Sequence, residues 1–159
     1  MTVLGITGPT GAGKTTLLRE VEKLGGAVID CDTVYHDILK SDIPLQDMLE
    51  KEFGPLRDES GSIDRKKLGR IVFGAPEKLE ALNAIAWRGI THRVRGILED
   101  RREQGMALAA IDAIALLESP LKELCQLTVA VLAPQEVRVR RIMAREGISE
   151  HYAWARVKA

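Results

Sequence analysis

Two cysteines, Cys31 and Cys125, stand far apart in 159 residues, with no CxxC or His-rich spacing around either. That excludes a disulfide framework and a structural zinc site, and it suits the reducing cytoplasm. Charge of one sign is lacking as well, because 23 Lys and Arg balance 23 Asp and Glu. With no net basic field, nothing drives the chain toward nucleic acid or a membrane surface, so small-molecule chemistry is the default. No window is apolar long enough to cross a bilayer, and Met1-Thr2-Val3-Leu4-Gly5-Ile6 lacks the basic start and apolar centre of a secretory signal. Internal repeats and low-complexity tracts are absent, which sets aside fibrous and disordered classes. What is there, 45% hydrophobic and 29% charged residues, is the make-up of one globular domain with its own core. A monomer or a small homo-oligomer is expected.

The order of elements then gives the fold class. Residues 3–7 are a short apolar run ending at Gly8-Pro9, a buried strand that feeds a turn. Leu17, Leu18, Val21 and Leu24 recur at helical spacing, and Gly25-Gly26 stops them. Ala27-Val28-Ile29 makes a second apolar strand that runs into Asp30-Cys31-Asp32. Strand, helix, strand opens a parallel α/β sheet. The middle of the chain differs in kind, since residues 33–40, 45–53, 65–73 and 76–103 all predict helices, with Asp64 able to cap the one at Arg65. Strands return over 107–112, ending in Asp112, and over 127–132. A basic helix follows over 135–145, Gly147 ends it, and Ser149 caps a last helix. No cap or breaker follows Lys158-Ala159, so the natural chain is expected to run on.

Gly8-Pro9-Thr10-Gly11-Ala12-Gly13-Lys14-Thr15 fits the Walker A pattern, after a predicted strand and before a predicted helix, where the motif has meaning. Glycines let the backbone curl until N–H groups face phosphate oxygens, the helix N-terminus adds partial positive charge, and Lys14 reaches the β and γ phosphates. Thr15 would hold magnesium. Such a loop does not choose between a switch, a motor and a kinase, so the other strand ends decide. Asp30 and Asp32 follow the second strand, at the edge where open parallel sheets place ligands. Asp32 there accepts or orients the proton of an attacking hydroxyl, or it caps a helix beginning at Thr33. Asp112, at its strand tip, has the Walker B position of a carboxylate that supports magnesium through water, or it is a turn residue. Arg138, Arg141 and Arg145 share one helical face, which neutralises transferred charge in a small kinase or is a solvated face beside Glu136 and Glu146. His36, His92 and His151 have no nucleophile or metal-ligand spacing, Cys31 reads as packing, and Trp87 and Trp154 read as core or interface. Two classes therefore stay open: a small-molecule kinase, of nucleoside or nucleotide type among others, and a nucleotide-binding module that transfers nothing.

The chain resembles the dephospho-CoA kinase family, and the likeness runs from Val3 to the final residues. It is carried by Gly5-Ile6-Thr7-Gly8 through Gly11-Ala12-Gly13-Lys14-Thr15-Thr16, and by Gly25 with Val28-Ile29-Asp30-Cys31-Asp32. Phe53-Gly54, Gly61-Ser62-Ile63-Asp64-Arg65 with Leu68, Val72-Phe73 and Leu82-Asn83 keep family order and spacing. Ala133-Pro134, Arg141 with Arg145, and Ile148-Ser149 look like the family's lid helix and the helix after it. Trp87-Arg88 stands where the family usually has His-Pro, and residues 112–118 keep the acidic ends of a family segment without its proline.

The resemblance implies a three-layer P-loop NTPase fold with a parallel sheet. It divides the chain into a core (1–32 and 105–135), a helical acceptor-binding insertion (33–104), and a lid with its following helix (136–159); in the family a further strand and helix come after. It implies transfer of the ATP γ-phosphate to the 3′-hydroxyl of dephospho-CoA, with Mg2+. By the same resemblance Gly11, Ala12, Gly13, Lys14, Thr15 and Thr16 hold ATP, and Thr15 and Asp112 serve the metal. Lys14, Asp32, Arg141 and Arg145 would be catalytic, with Asp32 at the position of the family's base.

Overall fold

The structure is a computed structural model and describes residues 1–158. Strands β1 (Thr2–Thr7), β2 (Ala27–Asp30), β3 (Leu108–Asp112) and β4 (Leu127–Ala130) form one sheet, ordered β2-β3-β1-β4 and parallel throughout. Helices α1 (Lys14–Lys23), α2 (Cys31–Ser41), α3 (Ile43–Phe53), α4 (Arg65–Val72), α5 (Pro76–Glu103), α6 (Gln135–Glu146) and α7 (Glu150–Lys158) complete it. No helix among the described residues is long and apolar enough to cross a membrane. The chain forms two compact units, Met1–Asp30 with Leu98 onward, and Cys31–Ile97.

The first unit is built on β1 and β3, the two inner strands. Ile6, Ala109, Ala110 and Ile111 are fully buried, and burying an isoleucine side chain is worth roughly 1.5–3 kcal/mol. On one face, Val21, Leu17 and Leu18 of α1 cluster with Ile6 and Ala110. On the other, Leu116 and Cys125 lie over Gly5. Burial pushes the Cys125 thiol up, and its Sγ donates to the Leu121 carbonyl at 3.4 Å. Within the apolar run over 127–132 the strand itself ends at Ala130, with one further bond from the Val131 amide to Thr7 O, and β4, the edge strand, is exposed along its length. A short 3-10 turn over Pro120–Leu124 precedes it, an element with no periodic signal in the sequence. Helices α6 and α7 pack on each other through Val139, Ile142, Ala153 and Val157, with Trp154 at the border of that cluster. Gly147, with φ +67, closes α6, and Ser149 Oγ accepts the Tyr152 amide at 3.3 Å.

The second unit is built of helices, with one isolated antiparallel bridge between Arg57 and Ile63. Asp42 accepts the Leu45 amide at 3.0 Å to start α3, and Asp64 accepts the Lys66 and Lys67 amides at 2.9 and 3.0 Å to start α4. Its core holds Ile38, Leu39, Leu45, Leu49, Leu56 and Val94. Between α3 and α4 the chain turns back, and Glu50 pins that turn by accepting the Leu56 and Arg57 amides at 2.8 and 3.0 Å. Arg57 answers with its guanidinium, paired with Glu50, with Asp47 at 2.6 Å, and with buried Gln46 at 3.0 Å.

Those amides, and then the Arg57 guanidinium, hold the Glu50 carboxyl below its ordinary value. A carboxylate depressed in this way stabilises the fold above its unfolded pKa and loses that contribution as pH falls through the folded one. Glu50→Gln is therefore expected to melt below the parent near pH 7, with the gap closing toward about pH 3. Thermal unfolding followed by circular dichroism checks this, and a gap that stays constant across that range would remove the carboxylate charge from the account.

Candidate active site

The loop between β1 and α1 is shaped first by what it cannot carry. Gly8 sits at φ +143, and a Cβ built there runs into the main-chain carbonyl of Val131. The cause is the register of the neighbouring strand, where the Val131 amide donates to Thr7 O at 2.8 Å and so brings the end of β4 against the start of the loop. Gly11 and Gly13 also have positive φ, at +80 and +115. Gly13 precedes α1 with no side chain to cap it, leaving the helix N-terminus suited to an anion.

Glycines provide no side chains to satisfy the loop's own polar atoms, yet every carbonyl from Gly8 to Gly13 accepts a hydrogen bond. Lys14 Nζ donates to Gly8 O at 2.8 Å, the Ala12 amide to Pro9 O at 3.1 Å, and the Thr16 amide to Gly13 O at 3.1 Å. The other three are reached from α6: Arg138 Nε donates to Thr10 O at 2.9 Å, and Arg141 Nη1 to Gly11 O at 3.2 Å and Ala12 O at 2.8 Å. The basic face of α6 is thus three residues in three situations. Arg138 is buried at 9% exposure, Arg141 is exposed and bridges to the loop, and Arg145 pairs with Glu146 at 2.5 Å. Arg156 also pairs with Glu146, and these guanidinium contacts, Arg145 foremost, lower the Glu146 pKa.

Carboxylates lie at the same edge of the sheet. Asp112 ends β3 level with Ile6 of β1 and with Asp30 of β2, so two strand tips present an acid side by side. Lys14 Nζ stands 3.9 Å from Asp112 Oδ1, both side chains being mostly shielded from water. Thr15 and Thr16 occupy the first turn of α1 and are exposed. Asp32 belongs to the helical unit and is exposed in the first turn of α2. The reading of Asp32 as the cap of a helix from Thr33 is corrected here: α2 begins at Cys31, so Asp32 lies inside the first turn, where an acid meets the positive end of the helix dipole.

The remaining candidates are placed elsewhere. His92 lines an open cleft of about 470 Å³ within the helical unit, between Asp37 and Ser41 of α2 and Arg93 of α5. His36 neighbours Tyr35 and His151 is exposed on α7. Trp154 packs at the α6–α7 cluster with the Lys158 ammonium 5.6 Å from its ring, Trp87 is half-buried in α5, and Cys31 is buried. What the sequence reading missed is the separate station of Arg138. The available signal was its four-residue step to Ile142, which puts it on the buried row of α6 rather than the solvated one.

Known proteins are similar to this chain along nearly its whole length. The sequence model of one family, dephospho-CoA kinase, matches residues 2–159. Dephospho-CoA kinase of Carboxydothermus hydrogenoformans is 35% identical over 158 residues, covering 99% of this chain and 77% of that protein. The crystal structure of TT1252 from Thermus thermophilus superposes with a TM-score of 0.76 at 30% identity, covering 99% of this chain and 78% of the other. Dephospho-CoA kinase from Campylobacter jejuni shares the fold, with a TM-score of 0.66, 24% identity, and coverage of 98% and 78%.

The unequal stations of the two exposed arginines make a test. Arg141→Met removes both loop contacts and is expected to weaken ATP binding about tenfold, whereas Arg145→Met, which removes a surface pair, changes it less than about threefold. Calorimetric titration of ATP into each variant checks this, and equal losses would contradict the division of the face.

Proposed function

The chain belongs to the dephospho-CoA kinase family, and from that premise we propose that it moves the γ-phosphate of ATP onto the 3′-hydroxyl of dephospho-CoA through Lys14, Asp32, Arg141 and Arg145. Family membership makes it a kinase, with ATP as one substrate and a small molecule as the other. The observation that carries the residue assignment is the loop itself, whose carbonyls are all engaged while the N-terminus of α1 has no side-chain cap.

In this reading Lys14 exchanges the Gly8 carbonyl for β and γ phosphate oxygens, and the amides of Gly11, Gly13, Lys14 and Thr15 complete the cradle, while those of Ala12 and Thr16 close its turns onto Pro9 O and Gly13 O. Asp32 accepts the proton of the 3′-hydroxyl as its oxygen bonds to the γ-phosphorus and the bond to the β–γ bridging oxygen breaks, so that ADP leaves with that electron pair. Arg141 and Arg145 balance the charge that the transfer spreads over the phosphoryl oxygens. Mg2+ suits the donor set at the loop, where the Thr15 hydroxyl and the Asp112 carboxylate are the hard oxygens that would hold it. When bound it offsets β,γ charge. The helical unit would then receive the acceptor, and α6 with α7 would act as the lid. A cytoplasmic location accords with this chemistry and with two free thiols.

Asp32→Asn gives the deciding experiment. It is expected to leave ATP affinity within about threefold and to lower ADP release in the presence of dephospho-CoA by about a hundredfold or more. Mass spectrometry of the parent reaction should show one phosphate gained by dephospho-CoA. Full turnover in the variant would take the proton-accepting role away from Asp32, and no gain of phosphate by dephospho-CoA would direct the search to nucleoside and nucleotide acceptors.

A further inference from the structure

We propose that Arg138 is a positioning residue for phosphate binding: a fixed strut from α6 that holds the loop in its receiving curl before any nucleotide arrives. The inference rests on the reading of the loop as an ATP site and adds a residue to it.

Arginine is among the residues least often buried, yet Arg138 shares the buried side of α6 with Val139 and Ile142. A buried guanidinium needs hydrogen-bond partners, and Arg138 Nε has one in the carbonyl of Thr10, 128 residues away. Backbone contact reinforces the bond. A Cβ at Gly11 would lie 3.0 Å from Arg138 O and 3.2 Å from Ile142 Cγ1, so the loop crest rests on the helix at this residue.

The direction of these bonds matters. A trans peptide points its carbonyl and its N–H to opposite sides. Holding Thr10 O and Ala12 O toward α6 therefore turns the N–H groups of Gly11 and Gly13 away from it, while the Ala12 amide closes the turn onto Pro9 O. Two arginines divide the work. Arg141 is exposed and can exchange its carbonyls for phosphate, whereas Arg138 is buried and stays. A consequence is that the first half of α6 belongs to the loop's scaffold, and any lid movement of this helix pivots beyond Arg138.

Side-chain chemistry supplies a clean test. Glutamine places an N–H donor the same number of bonds from Cα as arginine Nε, and methionine has similar length with no donor. Arg138→Met and Arg138→Gln, in the full chain, would be compared with the parent for MgATP affinity without acceptor and for hydrogen exchange at Ala12 and Thr16, whose amides are bonded to Pro9 O and Gly13 O, with Ile6 as the fold control. The expected result is that Arg138→Met weakens MgATP about tenfold and speeds exchange at the two loop amides with Ile6 unchanged, and that Arg138→Gln restores both to within about threefold. The proposal fails if Arg138→Met leaves the loop amides unaffected, if Ile6 exchanges faster in step with them, or if Arg138→Gln behaves like Arg138→Met, which would assign the residue to charge alone. Loss of kinase activity is a separate matter: a parent that moved no phosphate to dephospho-CoA would overturn the choice of acceptor, and the exchange data would still decide the strut.

Discussion

A phosphate loop must offer N–H groups to its ligand, and this leaves its carbonyls to be satisfied from the other side. Glycine cannot do so with side chains, and a buried carbonyl left without a partner costs about 1–3 kcal/mol. In this protein the loop meets that requirement partly with its own turns and Lys14, and partly with α6, an element that arrives more than 120 residues later. The loop and the helix that flanks it are consequently one polar structure. Everything else at the site is arranged around that pairing.

The parallel sheet supplies the second part of the arrangement. Because all four strands run the same way, their C-terminal ends share one edge, and the register puts Asp30, Asp112 and Ile6 level with one another. Acids at two neighbouring strand tips would repel if both stood alone, but Lys14 comes within 3.9 Å of Asp112 and carries the opposite charge. The same lysine that bonds the loop's first carbonyl is therefore also the local counter-charge of the sheet edge. On the proposed function, a nucleotide entering here would compete for a lysine already engaged by two oxygen partners.

How much of this was legible in the sequence depends on the range of the interaction involved. The loop, the helix starting at Arg65 and the strand–helix–strand succession that opens the chain follow from local rules, since glycine spacing, an Asp64 cap and short apolar runs act within a few residues. The start of α2 was misplaced because helix propensity at Cys31 and Asp32 is weak and the strand–helix junction has no spacer, so nothing local announces the boundary. The apolar run predicts a strand over 127–132, longer than the β4 that forms, and the exposed edge position of β4 is a property of topology that no run of apolar residues encodes. Arg138 was visible only as one member of a basic face. Its burial and its bond to Thr10 depend on how the chain returns to its own beginning, and that information is not local.

The contact at Gly8 also bears on how this chain can change over generations. Any replacement of Gly8 introduces a Cβ, and the atom it meets is the carbonyl of Val131, a main-chain atom that every residue type carries at that position. No second substitution at residue 131 can clear the way, as a shortened side chain would at an ordinary crowded contact. Relief would require the end of β4 to move relative to β1, which means breaking the Thr7–Val131 hydrogen bond and the strand register together. Drift at this junction is blocked at the first step, and the blockage comes from the backbone on both sides.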